Sequence, residues 1–345
     1  MKPFLSLLAG LVVAALLVAA CGDSDDDGDT SPASGEPTSS AADATPEATT
    51  EATSEPAAES SIDLSMDDLG REVDLPESAE RIVALSPSVV ELMFAVGATP
   101  VGRPSSADFP AEAADVPAFG ESRTPNIEEL LAMQPDLIIA DALLHGTMAD
   151  ELSSQVGAPV FAVRIASFDD VTAGLRKVGA LTGNEEAGEA AAVELEEQLA
   201  GIQADLPDEG PTVIVLVAAG PNQFIAARGN TYLGAILEEL GATNLVQGEP
   251  ENFSYPGFSD YSLERIIEGD PDVIITASIG GPPGTPQTSD ILKSVPALSS
   301  LTAVQEGRVF EVDPFVYIQS AGPRVSIVLD ELPRILYPDV FALAR

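Results

Sequence analysis

The chain has 345 residues carrying 56 Asp and Glu against 15 Lys and Arg, a formal net charge of -41. That balance argues against nucleic acid as a partner, because phosphate binding runs on clustered Lys and Arg. A single cysteine and a single histidine exclude disulfide scaffolds, thiolate zinc sites and multi-histidine metal centres.

The first segment, 1–21, has the layout of a secretory signal. Lys2 supplies the positive start, Phe4 to Ala20 form a 17-residue apolar run broken only by Ser6, and small Ala19 and Ala20 precede Cys21. Such a run sits at the lower limit for a membrane span, so a permanent anchor helix is the lesser alternative. Leu17-Val18-Ala19-Ala20-Cys21 resembles a bacterial lipobox, which implies lipidation at Cys21 and an extracytoplasmic protein tethered to the cell membrane.

Segment 22–61 holds eleven acidic residues, no Lys or Arg, no aromatic and no aliphatic side chain larger than Ala. It has nothing with which to form a core and is expected to be a disordered acidic linker. Its use is a solvated leash or, alternatively, an acidic interaction tail. The remainder keeps 45 acidic against 14 basic residues, so the folded part is itself acidic.

From Ile62 onward, short apolar runs alternate with longer amphipathic ones, the pattern of α/β layering with parallel strands. Arg81 to Leu85 reads as a buried strand, Val89 to Val96 as a helix apolar on every face except at Glu91, and Gly97 as its stop. Asn126 caps a helix over Ile127 to Met133, and Leu137-Ile-Ile-Ala is a second buried strand. The unit from Asn126 to Ala140 recurs, without a gap, as Ser262 to Thr276, an offset of 136 residues. Phe94-Ala-Val-Gly-Ala-Thr is echoed by Glu239-Leu-Gly-Ala-Thr. A doubled unit implies two similar lobes, here 62–167 and 207–345. Between them, 168–206 is rich in Ala, Glu, Leu and Gln and reads as a helical connector broken at Gly183-Asn184. Its second helix, Glu185 to Ala204, makes a rigid rod about 30 Å long at 1.5 Å per residue.

These residues together resemble the Fe/cobalamin-type periplasmic-binding protein family, the substrate-binding proteins of ABC importers for ferric siderophores, haem and cobalamin. The resemblance covers about Leu69 to Phe341. It rests on Arg81-Ile-Val-Ala-Leu-Ser-Pro-Ser with Glu91 and Gly97, on Pro125-Asn-Ile-Glu with Pro135-Asp-Leu-Ile-Ile-Ala, and on Ser262-Leu-Glu with Pro271-Asp-Val-Ile-Ile. Gly307-Arg-Val-Phe-Glu-Val-Asp and Gly322-Pro-Arg complete it.

It implies two α/β lobes with parallel-rich sheets joined by a long rigid helix, and a ligand cleft between them. It implies a monomer without cofactor or catalytic residues, whose partners are an ABC permease dimer with its ATPase and a small metal-chelate ligand. Glu128 and Glu264 take the family's docking role, one carboxylate per lobe facing a two-fold symmetric permease, with Glu129 able to share it. A first-turn carboxylate also favours a helix N-terminus, so both roles stay open.

The resemblance implies a cleft lined by Phe109, Arg123, His145, Phe253, Tyr255, Phe315, Tyr317 and Arg324. Arginine suits an anionic chelate because its planar fork donates two hydrogen bonds; the competing role for Arg123 is an ion pair with Glu121. Were the cargo haem, His145 and Tyr255 would be its metal ligands. Core packing is the competing role for the aromatics and for His145. Ferric siderophore is the leading cargo, with haem or cobalamin as alternatives. An exported enzyme is the second alternative, but G-x-S-x-G, H-E-x-x-H and G-x-x-x-x-G-K are all absent from the sequence.

Overall fold

A computed structural model describes residues 62–220, 223–279, 284–319 and 321–341. The signal segment with Cys21 and the linker 22–61 lie outside the described residues.

The N-terminal lobe is a three-stranded parallel sheet of β1 (Ile82–Ala84), β2 (Leu137–Asp141) and β3 (Val160–Val163), with β2 in the centre. Around it lie α1 (Pro87–Ala95), α2 (Ile127–Met133), α3 (Ala142–His145) and α4 (Ala149–Val156). Every residue of the three strands is buried because helices cover both faces. Leu137 and Ile139 enter one core, and Ile138 and Ala140 the opposite one.

Two long helices follow, α5 (Phe168–Leu181) and α6 (Glu185–Ala204). α6 has the bounds that the sequence predicts. It folds back along α5, and the two backbones touch at Gly179 and Gly188, where a Cβ on Gly188 would stand 2.6 Å from the Leu175 carbonyl oxygen. Arg176 of α5 grips both Glu189 and Glu196 of α6.

The C-terminal lobe contains β4 (Thr212–Gly220), β5 (Gln223–Ala227), α7 (Tyr232–Glu239), β6 (Thr243–Asn244), β7 (Phe258–Tyr261) and α8 (Leu263–Gly269). β8 (Val273–Ala277), α9 (Thr288–Ser294), α10 (Thr302–Gln305), β9 (Val309–Val312) and α11 (Val325–Leu336) complete it. Its sheet runs β7-β5-β4-β8-β9, with β6 also paired to β4. Pairs β4–β8, β8–β9 and β4–β6 are parallel, as expected, whereas β4–β5 and β5–β7 are antiparallel.

The repeat is real at the level of bonds. β8 sits between β4 and β9 as β2 sits between β1 and β3. α2 and α8 start on side-chain caps, Asn126 and Ser262, and both end on a left-handed residue, Gln134 (φ 49°) and Asp270 (φ 33°). Those two are the non-glycine residues with positive φ among the described residues, and they are themselves 136 apart. Asp136 accepts hydrogen bonds from the Glu80 and Arg81 N–H groups at the start of β1; Asp272 accepts from the Thr212 N–H and hydroxyl at the start of β4. Gly97 and Gly241 close α1 and α7 with the same pair of bonds, including Ala98 N–H to Met93 carbonyl and Ala242 N–H to Leu237 carbonyl.

One face of each sheet, together with α1, α5, α6, α7 and α11, forms a single continuous hydrophobic core. The outer faces have separate cores.

Candidate ligand-binding site

Among the described residues, one ion pair joins the two lobes. Glu91 is the one charged residue of α1, and its side chain is 2% exposed. A carboxylate so deeply buried requires a partner. That partner comes from the other lobe: Arg324, at the start of α11, donates through Nε to Oε2 at 2.9 Å and through Nη2 to Oε1 at 2.6 Å. Gly322 lies against the pair, with space for a Cβ only 3.4 Å from Glu91 Oε2. Tyr232, the first residue of α7, is buried and feels this charge. Burial, and after it the Glu91 charge, pushes its phenol pKa up. The Arg324 guanidinium lies over the Phe109 ring, 4.7 Å from its centroid.

Phe109, Phe253, Tyr255 and Phe315 are the aromatic side chains in the exposed class among the described residues, and all four stand on loops or short turns beside the strands. Phe315 begins a short π-helical turn directly after β9. Phe253 and Tyr255 lie on the loop that leads to β7. Asn252 Oδ1 shapes this loop by accepting from the Ser254 and Tyr255 N–H groups, and Gly257 packs it onto Thr231, the cap of α7.

Arg123 is exposed and has neither hydrogen bond nor ion pair with any described residue, so the Glu121 pair does not form. Its charge is felt by Asp141 and His145 at the end of β2.

Two residues expected as cleft contacts are buried instead. His145 is fully buried. The Ser122 hydroxyl donates to the Leu85 carbonyl at 2.7 Å, which leaves its oxygen to accept from His145 Nε2–H at 3.2 Å. Nδ1 in turn accepts from the Asp141 N–H at 3.1 Å. Both nitrogens are occupied, and desolvation lowers the pKa to about 4. The imidazole is a neutral structural bracket with no lone pair left for iron. Tyr317 is likewise buried, and its hydroxyl donates to Glu331 Oε2 at 2.6 Å. Arg324 reaches the seam, but its guanidinium is committed to Glu91 and is 14% exposed. The sequence marks Glu91 as the one charge in the helix but does not name its partner, which lies 233 residues away.

Glu128 and Glu264 are exposed at equivalent places, the second residue of α2 and of α8. The Glu264 backbone N–H, and after it the Ser262 hydroxyl, holds the Glu264 carboxyl below its ordinary range. A separate hollow of about 410 Å³, lined by Arg228, Asn230, Glu238, Gln247 and neighbours, draws only on the C-terminal lobe.

Residues 82–315, spanning both repeats, match the periplasmic binding protein family. The chain belongs to that family. Among relatives, an uncharacterised ABC transporter substrate-binding lipoprotein, YvrC of Bacillus subtilis, is 25% identical over 280 residues, 79% of this chain and 84% of its own. The Fe(3+)-citrate-binding protein YfmC of the same organism is 25% identical over 253 residues, covering 72% and 77%. Among solved structures, the periplasmic heme-binding protein RhuT from Roseiflexus sp. RS-1 superposes with a TM-score of 0.62 at 25% identity, over 76% of this chain and 100% of that one. The two lobes are thus those of a periplasmic binding protein, and Phe109 is the exposed aromatic that the structure sets against the ion pair between them.

Proposed function

We propose that this chain is the extracytoplasmic binding subunit of an ABC importer, lipid-anchored at Cys21, and that it captures a ferric chelate and hands it to a permease dimer powered by its ATPase. It acts by binding, without turnover. The observation that carries this reading is that the chain, of net charge -41, exposes four loop aromatics and an arginine, Arg123, that has no hydrogen-bond or ion-pair partner among the described residues. In so acidic a molecule a bare guanidinium offers an anionic chelate its local attraction, and aromatic walls supply area for a large ligand. The names of the Bacillus relatives, one a substrate-binding lipoprotein and one a ferric-citrate binder, support the same reading.

Haem is the second reading, favoured by the half-exposed Tyr255, whose phenol can serve as an iron ligand now that His145 is withdrawn. The likeness to a heme-binding protein supports it.

The test is a stability panel of the full chain with ferric citrate, a ferric siderophore, hemin and cobalamin. A ligand present at 100 times its Kd should raise the unfolding free energy by about 2.7 kcal/mol. Stabilisation by ferric citrate or the siderophore supports the chelate reading, and stabilisation by hemin that Tyr255→Phe abolishes supports haem. Indifference to all four overturns both.

A further inference from the structure

Four observations converge on the seam. Glu91 and Arg324 are 233 residues apart in sequence, sit on different lobes, and form a two-bond ion pair that is almost wholly removed from solvent. The pair uses Nε and Nη2, which leaves Nη1 of Arg324 without a described partner. The same guanidinium covers the Phe109 ring, which is still 43% exposed. Gly322 lies close against the carboxylate, and the buried phenol of Tyr232, the first residue of α7, feels its charge.

We propose that Glu91 is a positioning residue of the binding site: by gripping Arg324 across the seam it fixes the spacing of the two cleft walls and aims the guanidinium at Phe109. The proposal rests on the reading of the exposed aromatics as cleft walls. A carboxylate that accepts two parallel N–H donors holds a guanidinium in one plane, which a single contact does not. With that plane fixed, Phe109 gains a cation against its ring, worth a few-fold in affinity when the ring is also used for stacking. Glu91 touches no ligand in this scheme and acts entirely through Arg324. Phe109 becomes a rigid platform rather than a loop aromatic free to swing, and the lobes approach each other at a distance set by one ion pair.

The test uses the full chain and two independent readouts. Glu91→Gln keeps the shape and removes the charge. Hydrogen exchange should accelerate at least ~10-fold in 104–110 and 321–327, while amides of β3 and β8 keep their wild-type rates. Hemin, used as the probe, should bind roughly 10-fold more weakly, because the seam and the Phe109 platform loosen together. Arg324→Lys keeps the charge but loses the fork, and should give the same exchange pattern. The reversed double variant, Glu91→Arg with Arg324→Glu, should recover slow exchange at the seam but not hemin affinity, since a carboxylate then stands where Phe109 had a cation.

Unchanged exchange in Glu91→Gln, or an equal acceleration everywhere, overturns the proposal, the latter by reducing the pair to general stability. Recovery of hemin binding in the reversed variant overturns the role of Arg324 at Phe109. Should the wild-type chain bind no hemin, the haem reading fails, and the exchange comparison alone still decides the role of Glu91.

Discussion

The His145 ring sits in a protein interior that keeps it neutral, and this gives the residue a measurable signature. Desolvation, with the neighbouring Arg123 charge adding the same sign, brings its pKa from 6.5 to about 4. The unfolded chain therefore binds a proton that the folded chain refuses. The stabilising effect is complete above pH 6.5 and is lost progressively as pH falls towards 4, by an amount on the order of 3 kcal/mol. His145→Gln should lower stability at pH 7 through its lost packing, yet flatten the slope of the urea midpoint between pH 6.5 and 5. A variant with the wild-type slope would show that another group carries the dependence. The same geometry explains why sequence reasoning placed His145 in the cleft. It follows β2 by four residues, as a cleft residue should, but the short α3 turns it back onto the N–H of Asp141. Phe315 and Tyr317 give a related lesson. In an extended segment, residues two apart share a face. Here they lie on a tight π-helical turn, so one is exposed and the other buried against Glu331.

At the scale of elements, α2 and α8 present Glu128 and Glu264 as a matched pair. Both helices are one to two turns long, capped at one end and stopped by a left-handed residue at the other, so neither carboxylate can wander far from its lobe. Reversing both charges, Glu128→Lys with Glu264→Lys, should abolish uptake through the cognate permease while leaving ligand affinity within about threefold. Losing one partner of a buried charge pair at an interface costs about 2–5 kcal/mol, enough to abolish uptake if both carboxylates dock. Undiminished uptake by the double variant would remove these residues from docking. The repeat itself was legible because its parts are local: a cap, a helix face, a Pro-Asp and an apolar run each leave a mark within a few residues. The antiparallel β5 and β7 were not read from the sequence, since strand direction is fixed by pairing across the sheet and not by composition. Gly220-Pro221-Asn222, between two apolar runs, was the available hairpin signal. Helix α6, expected over roughly Glu185 to Ala204, was legible because its propensity and the Gly183-Asn184 break are local signals.

At the scale of the whole molecule, the inner faces of both sheets and the helices between them share one apolar core. Two lobes built this way cannot lose their packing separately: exposing the inner face of β2 also strips α1 and α5, and with them the contacts of α6 to α11. Thermal unfolding of residues 62–341 should therefore be a single heat-absorption peak, with calorimetric and van't Hoff enthalpies in agreement, despite the doubled architecture. Two resolved peaks would mean that the lobes are thermodynamically independent. Concerted melting also means that a ligand touching only one wall protects both. Under a protease, an occupied molecule would survive as one intact piece, and cleavage would release no stable half.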